Sequence, residues 1–400
     1  MKRIVFLYIF TVLVISCSTD KQTNDSVPFI DVRKKYPEKE IILTSIADIT
    51  YVHLDIKKTD FLYKGKINYV TKNTIVIADQ SSGSILFFSK DGTPKTRFNH
   101  YGSGPEEYSD VLFAKIIYDE VDDDVYINCS GNDYINVYSS NGKYKRKLIL
   151  PQGVNVQQMV LFDDQSLLVS DYNKMFQRGI HKLEGNDKIF INQTNDSTLF
   201  HISKKDGEIL RYVELPQNNI DLMFVFSTVG DAKVHIPFDM NIVKCNERFL
   251  LCIPETDTIY HYRKNEPLSS ILCKTPLVNN LENRVILDNC LDVGKYHFIA
   301  TRTLSSENGI MSPLNYYVLD KQTNEVFRQN IILSEYRGFS FYISSLTNTL
   351  YHENEFHFEL DLIELKEAYR ENRLSGKLKD LVGTLDEEKD NDVIMFVHFK

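Results

Sequence analysis

The stretch His100–Tyr108 reads HYGSGPEEY. It gathers residue types from which a phosphate cradle, a carboxylate pair or a plain turn could be built. A dinucleotide fingerprint needs a third glycine and a helix behind it. Here Gly102 and Gly104 are followed by Pro105, and no helical period follows Tyr108. A phosphate loop wants Gly-Lys-Ser or a helix N-terminus, and neither is present. Glu106 and Glu107 are adjacent, whereas an acid/base pair must face itself across a cleft at a set separation. What remains is a tight, stiff turn: the glycines permit close backbone geometry and Pro105 fixes the exit. If the turn borders a channel, Arg97, His100, Tyr101, Glu106, Glu107 and Tyr108 form a candidate binding rim.

Other constellations carry less. Asp119-Glu-Val-Asp-Asp-Asp124 invites calcium, but it lacks the alternating ligands, the glycine and the distant glutamate of an EF-hand loop. It reads as an acidic hairpin turn. His352 and His357 stand five apart in a strand-like segment, not four apart on a helix as a zinc motif requires. No GxSxG elbow and no Cys-His signature occurs. The motifs therefore assign no catalytic residue, no metal ligand and no cofactor. Leaving Cys17 aside, Cys129, Cys245, Cys252, Cys273 and Cys290 are odd in number and show no disulfide framework. They are expected mostly as small buried apolar residues. A hairpin around Asn246 and Glu247 could bring Cys245 and Cys252 together.

The elements that must position these residues are repeated strands. Thr74–Asp79, Ser84–Phe88 and the turn Lys90-Asp-Gly92 make one unit. Asp124–Asn128, Tyr134–Tyr138 and Ser140-Asn-Gly142 make the next. The pattern returns with turns at Lys205-Asp-Gly207, Lys264-Asn-Glu266 and Lys321–Asn324. Asp-Gly and Asn-Gly reach positive φ without steric penalty, which suits hairpins. The repeat of roughly 50–65 residues is a propeller-blade period with loop insertions. Each unit has β-branched and aromatic strands with two faces to bury, so neighbours must stack and a closed ring protects their edges. The Lys143–Lys147 run (KYKRK) is the one dense basic stretch, and it reads as the solvated face of a strand. A sixth unit differs. Phe341–Ile343 and Glu355–Phe358 are strand-like. Apolar spacing then predicts helices over 361–372 and after Ser375, which can cap the second. The final run Val393–Phe399 is a strand free to pair with Ile49–Leu54, fastening the ring with both ends of the chain. The fold class is all-β: a six-bladed β-propeller with a short helical insertion in the last blade.

These residues resemble the six-bladed β-propeller lipoproteins of Bacteroidetes, within the TolB-like propeller superfamily. The likeness rests on Ala47–Leu54, the strand-turn unit Ile75–Gly92, Gly102–Tyr108 and the tail Asp390–Phe396. The family loop is Gly-x-Gly-Pro-Gly-Glu-Tyr, and Glu106 replaces its third glycine. The family tail has Asp-Asn-Pro-Val, and Asp392 replaces its proline. The resemblance implies a lipid-anchored envelope propeller and supplies no settled activity.

The N-terminus agrees. Lys2 and Arg3 precede an apolar run from Ile4 to Ile15, too short for the ~20 residues that span a bilayer. Ser16 before Cys17 resembles a lipobox, which expects cleavage before Cys17 and diacylation of its thiol. Residues 1–16 are thus a signal peptide, 17–27 a flexible tether and 28–400 the propeller. Ser18 after the cysteine favours the outer membrane. Losing Lys2 and Arg3 takes the formal charge from −9 to −11, which disfavours nucleic acid as a partner. The expected role is a non-catalytic binding or scaffold module for a glycan, peptide or envelope protein, tethered to the membrane through its lipid. The alternative is a propeller enzyme of lactonase, sugar dehydrogenase or lyase type, with a metal on the axis.

Overall fold

The computed structural model describes residues 27–56, 60–171, 198–216, 223–226, 234–237, 240–245, 248–254, 256–277, 284–304, 311–344 and 354–400. Residues 1–26, which include Cys17 and the expected signal peptide, and Asn246, Glu247 and His352 lie outside them.

Six sheets follow one another along the chain. Blade 1 holds Ile67–Val70, Thr74–Ala78, Ile85–Ser89 and Pro94–Phe98. Blade 2 holds Lys115–Asp119, Asp124–Asn128, Tyr134–Tyr138 and Tyr144–Ile149. Blade 3 holds Val156–Leu161, Ser166–Asp171, Leu199–Ser203 and Ile209–Tyr212. Blade 4 is built on Asn241–Cys245, Arg248–Cys252, Thr258–Tyr262 and Ser269–Thr275. Blade 5 is built on Arg284–Val293, Tyr296–Leu304, Met311–Asp320 and Glu325–Ile332. Blade 6 joins Glu355–Leu360, Val393–Phe399 and Ala47–His53. A separate hairpin, Met223–Phe226 with Val234–Pro237, lies between blades 3 and 4 in sequence.

Stacking explains the burial pattern. The second strands Thr74–Ala78, Asp124–Asn128 and Ser166–Asp171 are buried at every position because a neighbouring blade covers each face. The fourth strand of blade 1, PKTRF, alternates because it meets solvent. The apolar core is accordingly a set of clusters. One fills the gap between blades 1 and 2, with Phe87, Phe98, Tyr118 and Tyr138. Another fills the gap between blades 2 and 3, and another that between blades 3 and 4. First strands of neighbouring blades pack side by side around the axis.

The ring closes as the sequence predicts. Val393–Phe399 runs antiparallel to Ala47–His53, with Val393 opposite His53 and Phe399 opposite Ala47. Gly92 helps seal the joint: its φ is +90°, and a β-carbon there would meet the His53 carbonyl. Two further N-terminal strands come as a finding. Phe29–Asp31 runs parallel to the last strand of blade 4, and Glu38–Ile42 parallel to that of blade 5. Residues 29–53 therefore form a strap along the outer edges of three blades.

Three local expectations need correction. Ser340–Phe341 pairs with Ile331–Ile332 of blade 5, not with the sixth sheet. Ser375 sits at the start of helix Gly376–Thr384 but makes no side-chain cap. Glu335 takes that role, accepting from the Lys377 amide at 2.9 Å where Gly376 leaves room. The first helix, Leu362–Arg370, is capped by Asp361, which accepts from the Glu364 amide at 2.9 Å. Cys245 and Cys252 lie at opposite ends of their hairpin, opposite Arg248 and Asn241, and all five described cysteines are free thiols. Among the described residues no helix is long and apolar enough to cross a membrane.

Candidate functional site

The HYGSGPEEY segment crosses from blade 1 to blade 2, and most of its polar atoms are engaged within the crossing. Tyr108 is 1% exposed. Its hydroxyl accepts from the His100 amide at 3.1 Å and donates to the Gly83 carbonyl at 2.7 Å. The His100 Nε2–H donates to the Gly142 carbonyl at 2.7 Å, and its ring stacks on Tyr138. Arg97 donates to the Asp60 carbonyl at 2.5 Å. The Glu107 carboxylate accepts from the Gly104 amide at 2.6 Å. A β-carbon at Gly102 would meet that carboxylate, so a larger residue there would make Glu107 swing aside. Tyr101, 57% exposed, and Glu106 keep side chains on the surface.

A larger depression lies where the turns between the first and second strands of blades 1, 2 and 3 converge. It encloses about 950 Å³, and Tyr69, Leu161, Phe162, Asp119, Lys204 and Lys244 contribute to its walls. That size falls within the usual range of small-molecule sites, roughly 300–1,000 Å³. Blade stacking sets the aromatic wall: Phe162 stacks on Phe249 and packs edge-on to His201.

Four of the five acids of this basin are already engaged. Glu120 accepts from Thr74 Oγ1 at 2.6 Å, Thr71 Oγ1 at 3.0 Å and Asn73 Nδ2 at 3.1 Å. Burial pushes its carboxyl up, but those donors outweigh burial and hold it below the usual range. Asp163 behaves likewise. Burial raises it, while Lys264, Ser166 and two backbone amides bring it down to about 2. Lys204 reaches across blades to Asp119 at 2.5 Å and Asp122 at 2.9 Å. Asp124 binds Lys145 at 2.7 Å and Arg146 at 2.5 Å. The acidic turn is thus a set of ion pairs, and the basic run Lys143–Lys147 supplies two of their cations.

Lys244 differs. It stands in the first strand of blade 4, partly buried, and among the described residues its ammonium has neither a hydrogen bond nor an ion pair. Burial lowers its pKa, and the field of Asp119 only partly opposes this.

Behind Phe162 runs a buried chain of hydrogen bonds. Ser166 Oγ donates to Asp163 at 2.8 Å, which leaves its oxygen to accept from His201 Nδ1–H at 3.3 Å. His201 Nε2 then accepts from the Tyr262 hydroxyl at 2.6 Å. Burial brings His201 down to about 4, so the imidazole is neutral at pH 7. Ser166, His201 and Tyr262 are all buried, and the chain fastens blade 3 to blade 4.

The inner strands of blades 3 to 5 are joined by amides. Gln158 donates to Asn241 Oδ1 at 3.3 Å, and Asn241 donates to the Asp288 carbonyl at 2.7 Å. Arg302 donates to the Asp288 carboxylate at 3.1 Å. Among the described residues no three His, Cys, Asp or Glu are grouped to hold a metal. Sequence reasoning missed the basin because its residues come from four blades and share no motif.

Comparison with known proteins follows the fold. A family model described as a six-bladed β-propeller matches residues 18–270. No curated protein matches the chain. A Bacteroides fragilis protein described as exported is similar at 15% identity over 91% of this chain and 99% of that chain, with a TM-score of 0.59. A Bacteroides vulgatus protein is 10% identical over 89% of this chain and 97% of that chain, with a TM-score of 0.44. Virginiamycin B lyase from Staphylococcus aureus is 10% identical over 88% of this chain and 100% of that chain, with a TM-score of 0.40. The first of these likenesses shows the fold alone, and the other two carry no argument.

Proposed function

The chain belongs to the six-bladed β-propeller family, and on that premise we propose that it is a lipid-anchored binding module of the cell envelope, with its ligand site in the basin. The signal-like run Ile4–Ile15 and Cys17 support the anchor. A structural neighbour described as exported is consistent with it. The outer membrane is the assigned address, with Ser18 following the acylated cysteine.

Lys244 carries the reading of the site. A partly buried ammonium with no hydrogen bond or ion pair among the described residues is costly to the fold. An anionic group on a ligand relieves that cost, while Tyr69 and Phe162 add aromatic surface to the wall for a sugar or an apolar side chain. The ligand class is an acidic glycan or a peptide bearing a carboxylate. The rim residues Tyr101 and Glu106 remain a second contact surface, suited to a protein partner.

The enzyme reading has one observation in its favour: Asn241 bridges neighbouring inner strands, accepting from Gln158 and donating to the backbone carbonyl of Asp288. Metal analysis and native mass spectrometry of protein purified without chelator separate the two. A co-purified glycan or peptide without stoichiometric metal supports the binding module. One tightly held metal per chain overturns it in favour of the enzyme.

A further inference from the structure

A second depression lies between blades 5 and 6. It encloses about 580 Å³ and is walled by Ser45 and Ile46 of the strap, by the turn Val293–Tyr296, by Lys321 and Gln322, and by Phe399 and Lys400. Three lysines, Lys295, Lys321 and Lys400, come to it from three separate segments, and no Asp or Glu lines it. In a chain of net charge −9 this is a local reversal of sign. The carboxylates that pair with these lysines stand outside the wall: Asp320 at 3.6 Å, Asp292 at 2.6 Å and Asp48 at 3.3 Å. Asp292 is shared further, with Arg248 at 2.8 Å and with His297 and His261 at 3.4 and 3.6 Å, so it does not cancel Lys321 alone. Gly294 shapes the cleft. Its φ is +50°, and a β-carbon there would lie 2.9 Å from the Lys400 carbonyl, so only glycine lets the turn carrying Lys295 sit against Lys400. The remaining wall is apolar, from Ile46, Val293, Tyr296 and Phe399.

We propose that this cleft binds a phosphate-bearing ligand with a small apolar body. Three lysine ammoniums converging on one cleft are compact point charges that suit the several oxygens and double charge of a phosphate monoester, more positive charge than a single carboxylate calls for. The ligand is either a soluble phosphate ester or the headgroup of an anionic lipid. The proposal is independent of the basin, and the failure of either leaves the other standing.

The test is isothermal titration of the full chain with phenyl phosphate, at low and at physiological salt. One saturable site is expected, weakened by salt as for partly exposed charges. The double variant Lys295→Ala, Lys400→Ala is expected to lose about tenfold in affinity or more, or about 1.4 kcal/mol. These side chains are 45% and 53% exposed, so the variant retains the fold, which its melting temperature checks. The charge reversal Lys295→Glu gives an independent reading with the same expected sign. Absence of saturable binding, binding unchanged in both lysine variants, or benzoate binding as tightly as phenyl phosphate overturns the proposal. Glucose 6-phosphate binding more tightly than dihexanoyl phosphatidic acid assigns a soluble ligand, and the reverse order assigns a lipid headgroup; either supports the site.

Discussion

The basin and the cleft each include a turn between the first and second strands of a blade, yet they arrive at opposite local charge. The basin has Asp119, Glu120, Asp122, Asp163 and Asp164 around it, and four of these are tied to the lysines, hydroxyls and amides of neighbouring turns. Among the described residues, the partly buried charge left there without a partner is a cation, Lys244. The cleft has lysines in its wall and keeps its carboxylates behind them. The contrast teaches that the charge a propeller offers a ligand is not the sum of its lining. It is what is left after the blades have fastened themselves to one another.

That account can be strained at both places. The largest effect is expected from Asp292→Ala. This carboxylate is 6% exposed, and burial would raise it, but His261, His297 and Lys321 hold it well below the usual range. Removing it strands Arg248 and Lys321, and the loss should be roughly 3–5 kcal/mol in urea unfolding. A loss below about 1 kcal/mol would mean the cluster is solvated and the cleft is not built on it. The matched change in the basin, Lys204→Met, leaves Asp119 without its cation and should cost about 1–3 kcal/mol by the same measurement. If Lys204→Met proves neutral, the basin acids are not fastened as described.

Acid sharpens the comparison further. Burial depresses both His201, beside the basin, and His297, beneath the cleft, to about 4. The unfolded chain therefore binds more protons than the folded one between about pH 6.5 and 4. Their stabilisation is fully present above pH 6.5 and is lost as pH falls toward 4. A melting temperature that drops over that interval, and drops less in His297→Gln, is expected. A flat profile would contradict neutral, buried imidazoles.

The smallest effects belong to the blade 1–2 crossing, where Glu107→Ala should cost about 1 kcal/mol and Glu106→Ala within about 0.5 kcal/mol. Equal losses would show that the Glu107–Gly104 bond is not what holds the turn.

Much of the ring was legible in the sequence. Thr74–Ala78 and Val393–Phe399 are mostly β-branched and aromatic, because blades bury both faces of such strands. The strap was not legible. Glu38-Lys-Glu40 has no apolar alternation, and it lies on an edge where backbone hydrogen bonds suffice. The Lys143–Lys147 run was read as solvated, but Lys145 and Arg146 grip Asp124, a partner that no local spacing announces. The basin escaped for the same reason. Tyr69, Asp119, Phe162 and Lys244 stand in four blades, and only closure of the ring makes them neighbours.

The central claim is that Lys244 is the open charge of a ligand site. The most direct measurement is the affinity of wild type and Lys244→Met for a glucuronate-bearing oligosaccharide and for a short acidic peptide, by isothermal titration. A fall of about tenfold or more for whichever binds, with melting temperature unchanged, is the predicted result. Equal affinity in the two proteins would place the ligand elsewhere and contradict the assignment of the basin.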